Sequence, residues 1–337
     1  MKRIYWLLGI VLLLAIGFGA LQLSSKGKEK STFVTEARDF KVADVAEVSK
    51  VFLAHRDGKQ TTLNKVEGEW LVNGKYLANN NAIKNLLQAI GSIEMQYIPT
   101  RASTENIVKN LATEGILVQV FDAAGNKLKG YYIGGSTSDE RGTYAILEDT
   151  NDPFVVQLPG WVGNLRFRYN LVGDDWRSKM LFQHSVDDIE LVSIEYPTRR
   201  NLSFILTPKG EEFQVAPFYE TDQPVRPVQR SRAERYLYKY ENLFISEYNN
   251  QAVMERAELR KKIPFATINI KLKDGEEMQI KAFPHFNERI LTNDLKSGDI
   301  IENERMRGYD LLLNGDEDFA VVQTGDFGHF LETYQSF

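Results

Sequence analysis

The 337-residue sequence has no cysteine and only four histidines, which excludes a thiolate nucleophile, an iron–sulfur cluster and a zinc-finger ligand set. It also excludes a lipobox, and with it lipoprotein anchoring. With 24 Gly and 10 Pro, the chain has too little of either for a collagen-like or low-complexity protein. No HExxH, GxSxG, GxxxxGK[ST], strand-borne GxGxxG or EF-hand loop occurs, so the common hydrolase and nucleotide-binding routes lose their sequence support. Positive charge is scarce as well. From residue 31 onward there are 36 Lys+Arg against 45 Asp+Glu, a net of −9. That surface is poorly suited to neutralising phosphates, and nucleic acid is not an expected partner.

What is present begins with a long apolar run. Residues 4–23 (IYWLLGIVLLLAIGFGALQL) carry no charge and are flanked by Lys2 and Arg3 on one side and Lys26, Lys28 and Lys30 on the other. As a helix they would span about 30 Å, one bilayer core, and the run exceeds the usual apolar core of a cleaved signal. The expectation is a single-pass inner-membrane anchor contacting lipid through Ile4, Trp6, Leu12 and Leu23. The three-residue head would stay cytoplasmic and the remainder would be exported to the periplasm. Secretion after cleavage near Gly17-Phe18-Gly19 is the alternative.

Beyond this anchor or signal (residues 1–30) and a polar tether (31–45), the chain reads as two copies of one α+β plan. The first module (46–160) opens with a strand, an Asp57-Gly58 turn of two residues and a returning strand, then Trp70-Leu71-Val72. Asn81 caps a predicted helix whose Ala82, Ile83, Leu86, Leu87 and Ile90 share one face. A second helix over 103–113 and four strands follow. The second module (188–337) restarts at Ile189, predicts a helix at Ser231 with Glu234 completing a capping box, and buries Leu237, Tyr240 and Phe244. FVVQLPGWVGNL (154–165) lies over AVVQTGDFGHFL (320–331), with four identities and Trp161 over Phe327. The expected fold class is therefore α+β: an N-terminal transmembrane helix followed by two similar, duplicated modules of mixed sheet and helix.

Residues 161–187 read as an aromatic-rich connector. Its Trp161, Phe167, Tyr169, Trp176 and Phe182 either pack or line a groove between the modules. Trp161, Tyr169, Trp176 and Arg177 are its candidate ligand or partner contacts. A basic cluster (Arg226, Arg230, Arg232, Arg235, Lys239) and a second one (Arg256, Arg260, Lys261, Lys262) stand out against an acidic background. Arg232, Arg235 and Lys239 are candidate contacts for an acidic partner or membrane headgroups, the plainer reading being a solvated helix face. Gly134-Gly135-Ser136-Thr137-Ser138-Asp139 could form an anion nest or simply connect strands. Asp174-Asp175, Asp187-Asp188 and Asp316-Glu317-Asp318 are candidates for an acid pair or a loose calcium site, and otherwise solvated turns. His55, His184, His285 and His329 are too scattered to form a ligand set. No cofactor is implied.

DFKVADVAEVSKVFLAHRDGK (39–59), GEWLVNGKYLANNNAIKNLLQAI (68–90), GTYAILEDTNDPFVVQLPGW (142–161) and DDWRSKMLF (174–182) together resemble the family of unknown function 4340, in its Bacteroidota form. The resemblance implies a membrane-anchored cell-envelope protein of repeated α+β modules, some of whose relatives sit beside gliding-motility-type transporter components. It carries no catalytic residues over to this chain. The expected function is a non-enzymatic scaffold or accessory subunit that binds another envelope or transporter protein. A glycan- or peptidoglycan-binding protein using an inter-module cleft is the alternative, and an Asp/Glu-dependent hydrolase a minor one.

Overall fold

The computed structural model describes residues 39–286, 290–293, 300–303 and 306–337. The predicted anchor, including Ile4, Trp6, Leu12 and Leu23, lies outside them, as does the tether up to residue 38. No helix among the described residues is long and apolar enough to cross a membrane. The chain divides into two units between Trp176 and Arg177, so the expected connector is split, 161–176 belonging to the first unit and 177–187 to the second.

In the first unit, β1 (Lys50–Ala54) and β2 (Gln60–Val66) are joined by residues 55–59, of which three, Arg56 to Gly58, form the turn inside the His55–Lys59 pair, one more than the sequence suggests. His55 N–H donates to the Lys59 carbonyl, and Gly58 takes φ 86°, the left-handed bulge that closes such a loop. The chain continues through β3 (Glu69–Val72), β4 (Tyr76–Leu77), α1 (Asn80–Ser92), β5 (Glu94–Tyr97) and α2 (Arg101–Glu114). It then forms β6 (Ile116–Phe121), β7 (Lys127–Ser136), β8 (Thr143–Leu147) and β9 (Phe154–Gln157). These nine strands make one sheet in the order β4-β3-β2-β1-β6-β7-β8-β9-β5.

Period-2 alternation fixes which face is buried. Val51 and Leu53 of β1, with Ile116, Val118 and Val120 of β6, are fully buried, while Phe52, Leu117 and Gln119 between them are not. α1 lays Ile83, Leu86, Ala89 and Ile90 into the same core. Its cap is Asn79, not Asn81: the Asn79 side chain accepts from the N–H groups of Asn81 and Ala82. Leu111 of α2 instead meets Gly134 of β7, where a Cβ would stand 2.7 Å from Leu111 Cδ2. Residues 39–45, read as tether, belong to the unit. Phe40 is fully buried, edge-on to Tyr131 at 5.9 Å and to Phe154 at 5.7 Å.

The second unit contains β10 (Ile189–Glu195), β11 (Phe204–Lys209), β12 (Glu212–Pro217), β13 (Arg226–Val228), α3 (Arg230–Leu237), β14 (Glu247–Tyr248) and α4 (Val253–Leu259). β15 (Ala266–Leu272), β16 (Glu277–Phe286), β19 (Met306–Leu313), β20 (Asp318–Gln323) and the short α5 (Thr324–Phe327) complete it, with a separate hairpin of β17 (Ile290–Asn293) and β18 (Ile300–Asn303) inserted after β16. Its sheet order, β13-β12-β11-β10-β15-β16-β19-β20-β14, repeats that of the first unit strand for strand, and every pairing in both sheets is antiparallel.

The register repeats too. Phe154 and Val156 pair with Ala145 and Thr143, and Ala320 and Val322 pair with Leu311 and Tyr309, so the FVVQ/AVVQ echo occupies one structural position in both copies. The expected duplication is present as two similar modules, although strands outweigh helices. α3 begins one residue before Ser231 and its cap, Gln229, makes no side-chain bond; Glu234 pairs with Arg230 instead of closing a capping box. Of the predicted stripe, Leu237 and Tyr240 are buried, but the helix ends at Leu237 and Phe244 is 43% exposed. α4 covers the face opposite the main core, with Leu259 against Phe283, Leu312 and Phe319.

Candidate functional site

Of the residues singled out in the sequence, Arg232, Arg235 and Lys239 come together. They lie three and four apart along α3 and the turn that follows it, spacing that puts side chains on one helical face. With Tyr236, Glu332, Ser336 and Phe337 they line a cavity of about 300 Å³ in the second unit. Ala233 and Leu237 are buried in the core, which leaves the charged positions outward, and Tyr236, buried in the same core, lies at the recess floor. Tyr236 is 3% exposed and anchors the cavity floor: its hydroxyl lies 2.6 Å from that of Tyr240 and donates to the Phe330 carbonyl. Burial pushes the Tyr236 phenol well above its ordinary pKa, so it stays neutral.

The cations around the cavity are not equivalent. Lys239 Nζ is 2.8 Å from both Glu332 Oε1 and the His329 carbonyl, and Arg230 is engaged by Glu234 at 2.6 Å. Burial of Glu332 opposes its ionisation, but hydrogen bonds from Lys239 and Ser336 and the charges of Lys239 and Arg232 win, leaving its pKa below the usual glutamate value. Arg232 and Arg235 are exposed, and neither guanidinium has a hydrogen-bonded acceptor among the described residues. The arrangement is a small, positively biased recess with an aromatic floor.

The connector candidates are dispersed. Tyr169 and Trp176 are fully buried in the first unit, the Tyr169 hydroxyl 3.3 Å from that of Tyr131 and the Trp176 indole N–H donating to the Leu171 carbonyl at 2.8 Å. Neither ring offers a face to a sugar. Trp161 is only half-buried, 5.6 Å from the exposed ring of Phe167, with the Arg168 guanidinium over both rings. Arg177 belongs to the second unit and is 3% exposed. It forms a two-pronged bridge to Asp318, Nη1 to Oδ1 and Nη2 to Oδ2, each at 2.9 Å, and lies 3.8 Å over the Tyr248 ring.

This bridge explains the fate of the 316–318 acidic run. Burial would raise the Asp318 pKa, but Arg177 and the amides of Asn250 and Asn314 hold it down at about 2. Asp316 is paired with Lys281 at 2.9 Å, and Arg256 donates to the Glu317 carbonyl. The Asp316 and Asp318 carboxylates are thus committed to cations within the fold, and no group of acidic residues among the described residues is gathered as metal ligands. The Gly134–Asp139 segment is no anion nest: Gly134 and Gly135 lie in β7, and Thr137 Oγ1 accepts from Gly142 N–H and donates to Asp139.

Sequence reading missed Glu332, Ser336 and Phe337, which complete the recess from the end of the chain, and it missed the pairing of Arg177 with Asp318 across 141 positions. No local pattern signals either. The only hint was the aromatic content of the terminal segment.

Fold and recess define a tandem protein of two antiparallel nine-stranded sheet-and-helix modules with a cationic recess in the second. A family model described as a domain of unknown function (DUF4340) matches residues 70–262, more than half of the chain, and the chain belongs to that family. Comparison with curated proteins and with solved structures gives no match.

Proposed function

We propose that this protein is a non-enzymatic scaffold or accessory subunit of the cell envelope, of the Bacteroidota form of its family, held at the inner membrane through residues 4–23. Its two modules then lie on the periplasmic side and dock a second envelope protein, of the kind found with gliding-motility-type transporters. The observation that carries this reading is the recess built on Arg232, Arg235 and Lys239, where two guanidiniums are held apart from internal acceptors on an otherwise acidic chain. Crosslinking of the full-length protein in its native membrane, followed by mass spectrometry of partners and of the intact N-terminus, tests it. A recurrent envelope subunit and a retained 1–23 segment are expected. A mature chain starting near Ala20 with no protein partner overturns the proposal.

A second reading rests on Trp161, Phe167 and Arg168, a surface aromatic group in the first unit able to stack on a glycan. It requires that Trp161→Ala abolish binding to soluble peptidoglycan fragments; unchanged binding ends it.

A further inference from the structure

The recess also restricts what the partner must present. Four cations line α3 and the turn after it, and the fold treats them in two ways: Arg230 and Lys239 are neutralised by Glu234 and Glu332, whereas Arg232 and Arg235 face the recess without a protein acceptor among the described residues. Two positive charges are left over. A guanidinium fork is saturated by one carboxylate, so two forks call for two carboxylates. Side chains three apart on a helix have Cβ atoms about 5–6 Å apart. Alternate residues of an extended chain project from one face about 6.6 Å apart, a close match. Tyr236 and Phe337 supply apolar wall for the methylene stems and for a flanking aliphatic side chain, and a cavity of about 300 Å³ suits side chains, not a folded surface.

The surroundings argue against a membrane surface. The second unit carries 21 Lys+Arg against 27 Asp+Glu over residues 177–337, a net of −6, so an anionic bilayer would repel it as a whole while a single acidic strand could still enter the recess.

We infer that the recess of the second unit is the docking site for an extended acidic segment of the partner, bearing two carboxylate side chains at alternate positions (i and i+2), one on Arg232 and one on Arg235. This rests on the docking function proposed above and specifies its chemistry.

The test titrates the detergent-solubilised full chain with three probes: a ten-residue peptide holding two glutamates at alternate positions (i and i+2) among leucine and serine, its diglutamine counterpart, and glycerol phosphate. The diglutamate peptide should bind and the diglutamine peptide should not. Arg232→Gln and Arg235→Gln, both exposed side chains, should each weaken binding about tenfold or more. Arg232→Glu with Arg235→Glu should transfer preference to a dilysine peptide. Equal binding of the glutamate and glutamine peptides overturns the inference, as does indifference to both arginine substitutions. Binding of glycerol phosphate without the peptide overturns it in favour of a headgroup. Peptide binding without any protein captured from the native membrane would count against the docking function alone; capture that survives the double substitution would count against this site alone.

Discussion

The two units share one topology and one register but hold their last segment in different ways. In the first, buried threonines do it: Thr143 Oγ1 accepts from Leu165 N–H at 2.7 Å, and Thr61 Oγ1 accepts from Gly173 N–H at 3.0 Å. In the second, the positions matching Thr61 and Thr143 by strand register are Phe204 and Tyr309, whose rings meet Phe337 at 4.9 Å and Phe327 at 5.2 Å. Gly134 likewise corresponds to Phe283, so a helix packed on bare backbone in one copy packs on an aromatic ring in the other. Among the described residues only the second unit buries a charged pair, whereas the buried polar residues of the first are threonines. A sheet scaffold tolerates such exchanges as long as each buried donor finds an acceptor or is replaced by ring area.

This contrast can be probed because the three tryptophans among the described residues, Trp70, Trp161 and Trp176, lie in the first unit, so a tyrosine-dichroism change without a tryptophan-fluorescence change belongs to the second. Asp318→Ala strands Arg177 in the core and should destabilise the second unit by about 3–5 kcal/mol, seen in near-ultraviolet tyrosine dichroism, while the tryptophan fluorescence transition stays put. A joint shift would show that the units unfold as one. The same carboxyl sets an acid limit. Its folded pKa, about 2, lies below the ordinary aspartate value, so its contribution is complete above about pH 4 and is lost as pH falls towards 2. Tyrosine dichroism should report the second unit losing stability in that window.

Trp70→Ala is the counterpart in the first unit. Trp70 is 8% exposed, and its truncation should cost about 3–5 kcal/mol in the fluorescence transition carried by Trp161 and Trp176. Unchanged stability would remove Trp70 from the core. Thr143→Val leaves Leu165 N–H without its acceptor and should cost about 1–3 kcal/mol by urea denaturation, whereas Tyr309→Phe at the matching position should cost less, since the ring contact survives. The smallest pair compares caps: Asn79→Ala should cost about 1 kcal/mol, and Gln229→Ala, where no side-chain cap bond exists, less than about 0.5 kcal/mol. Equal losses would mean that α3 draws on its cap residue in some other way.

Much of this architecture was legible because it is local. Alternation at Val51 and Leu53, the Asp-Gly turns and the α1 stripe each depend on neighbours within a few residues, and the VVQ echo exposed the duplication. The errors were also local competitions. Asn79, Asn80 and Asn81 are all competent caps, and packing of Ile83 and Leu86 selects the first. Ser231 was outbid by the chain entering α3 from β13 one residue earlier, with Arg230 recruiting Glu234. The recess was half legible: the helical spacing of Arg232, Arg235 and Lys239 announces a shared face, but Glu332, Ser336 and Phe337 arrive through tertiary folding of the end of the chain. The connector aromatics misled because Tyr169 and Trp176 look the same in sequence whether they serve a core or a groove.

One property of the sheets constrains how such a molecule keeps company. The outermost strands, β4, β5, β13 and β14, have two, four, three and two residues, and Pro227 removes a donor from β13. Ladders that short give another sheet almost nothing to extend. On a crowded surface, copies of this protein would therefore resist zipping edge to edge into fibrils, and recognition would be left to side chains, where it can be selective.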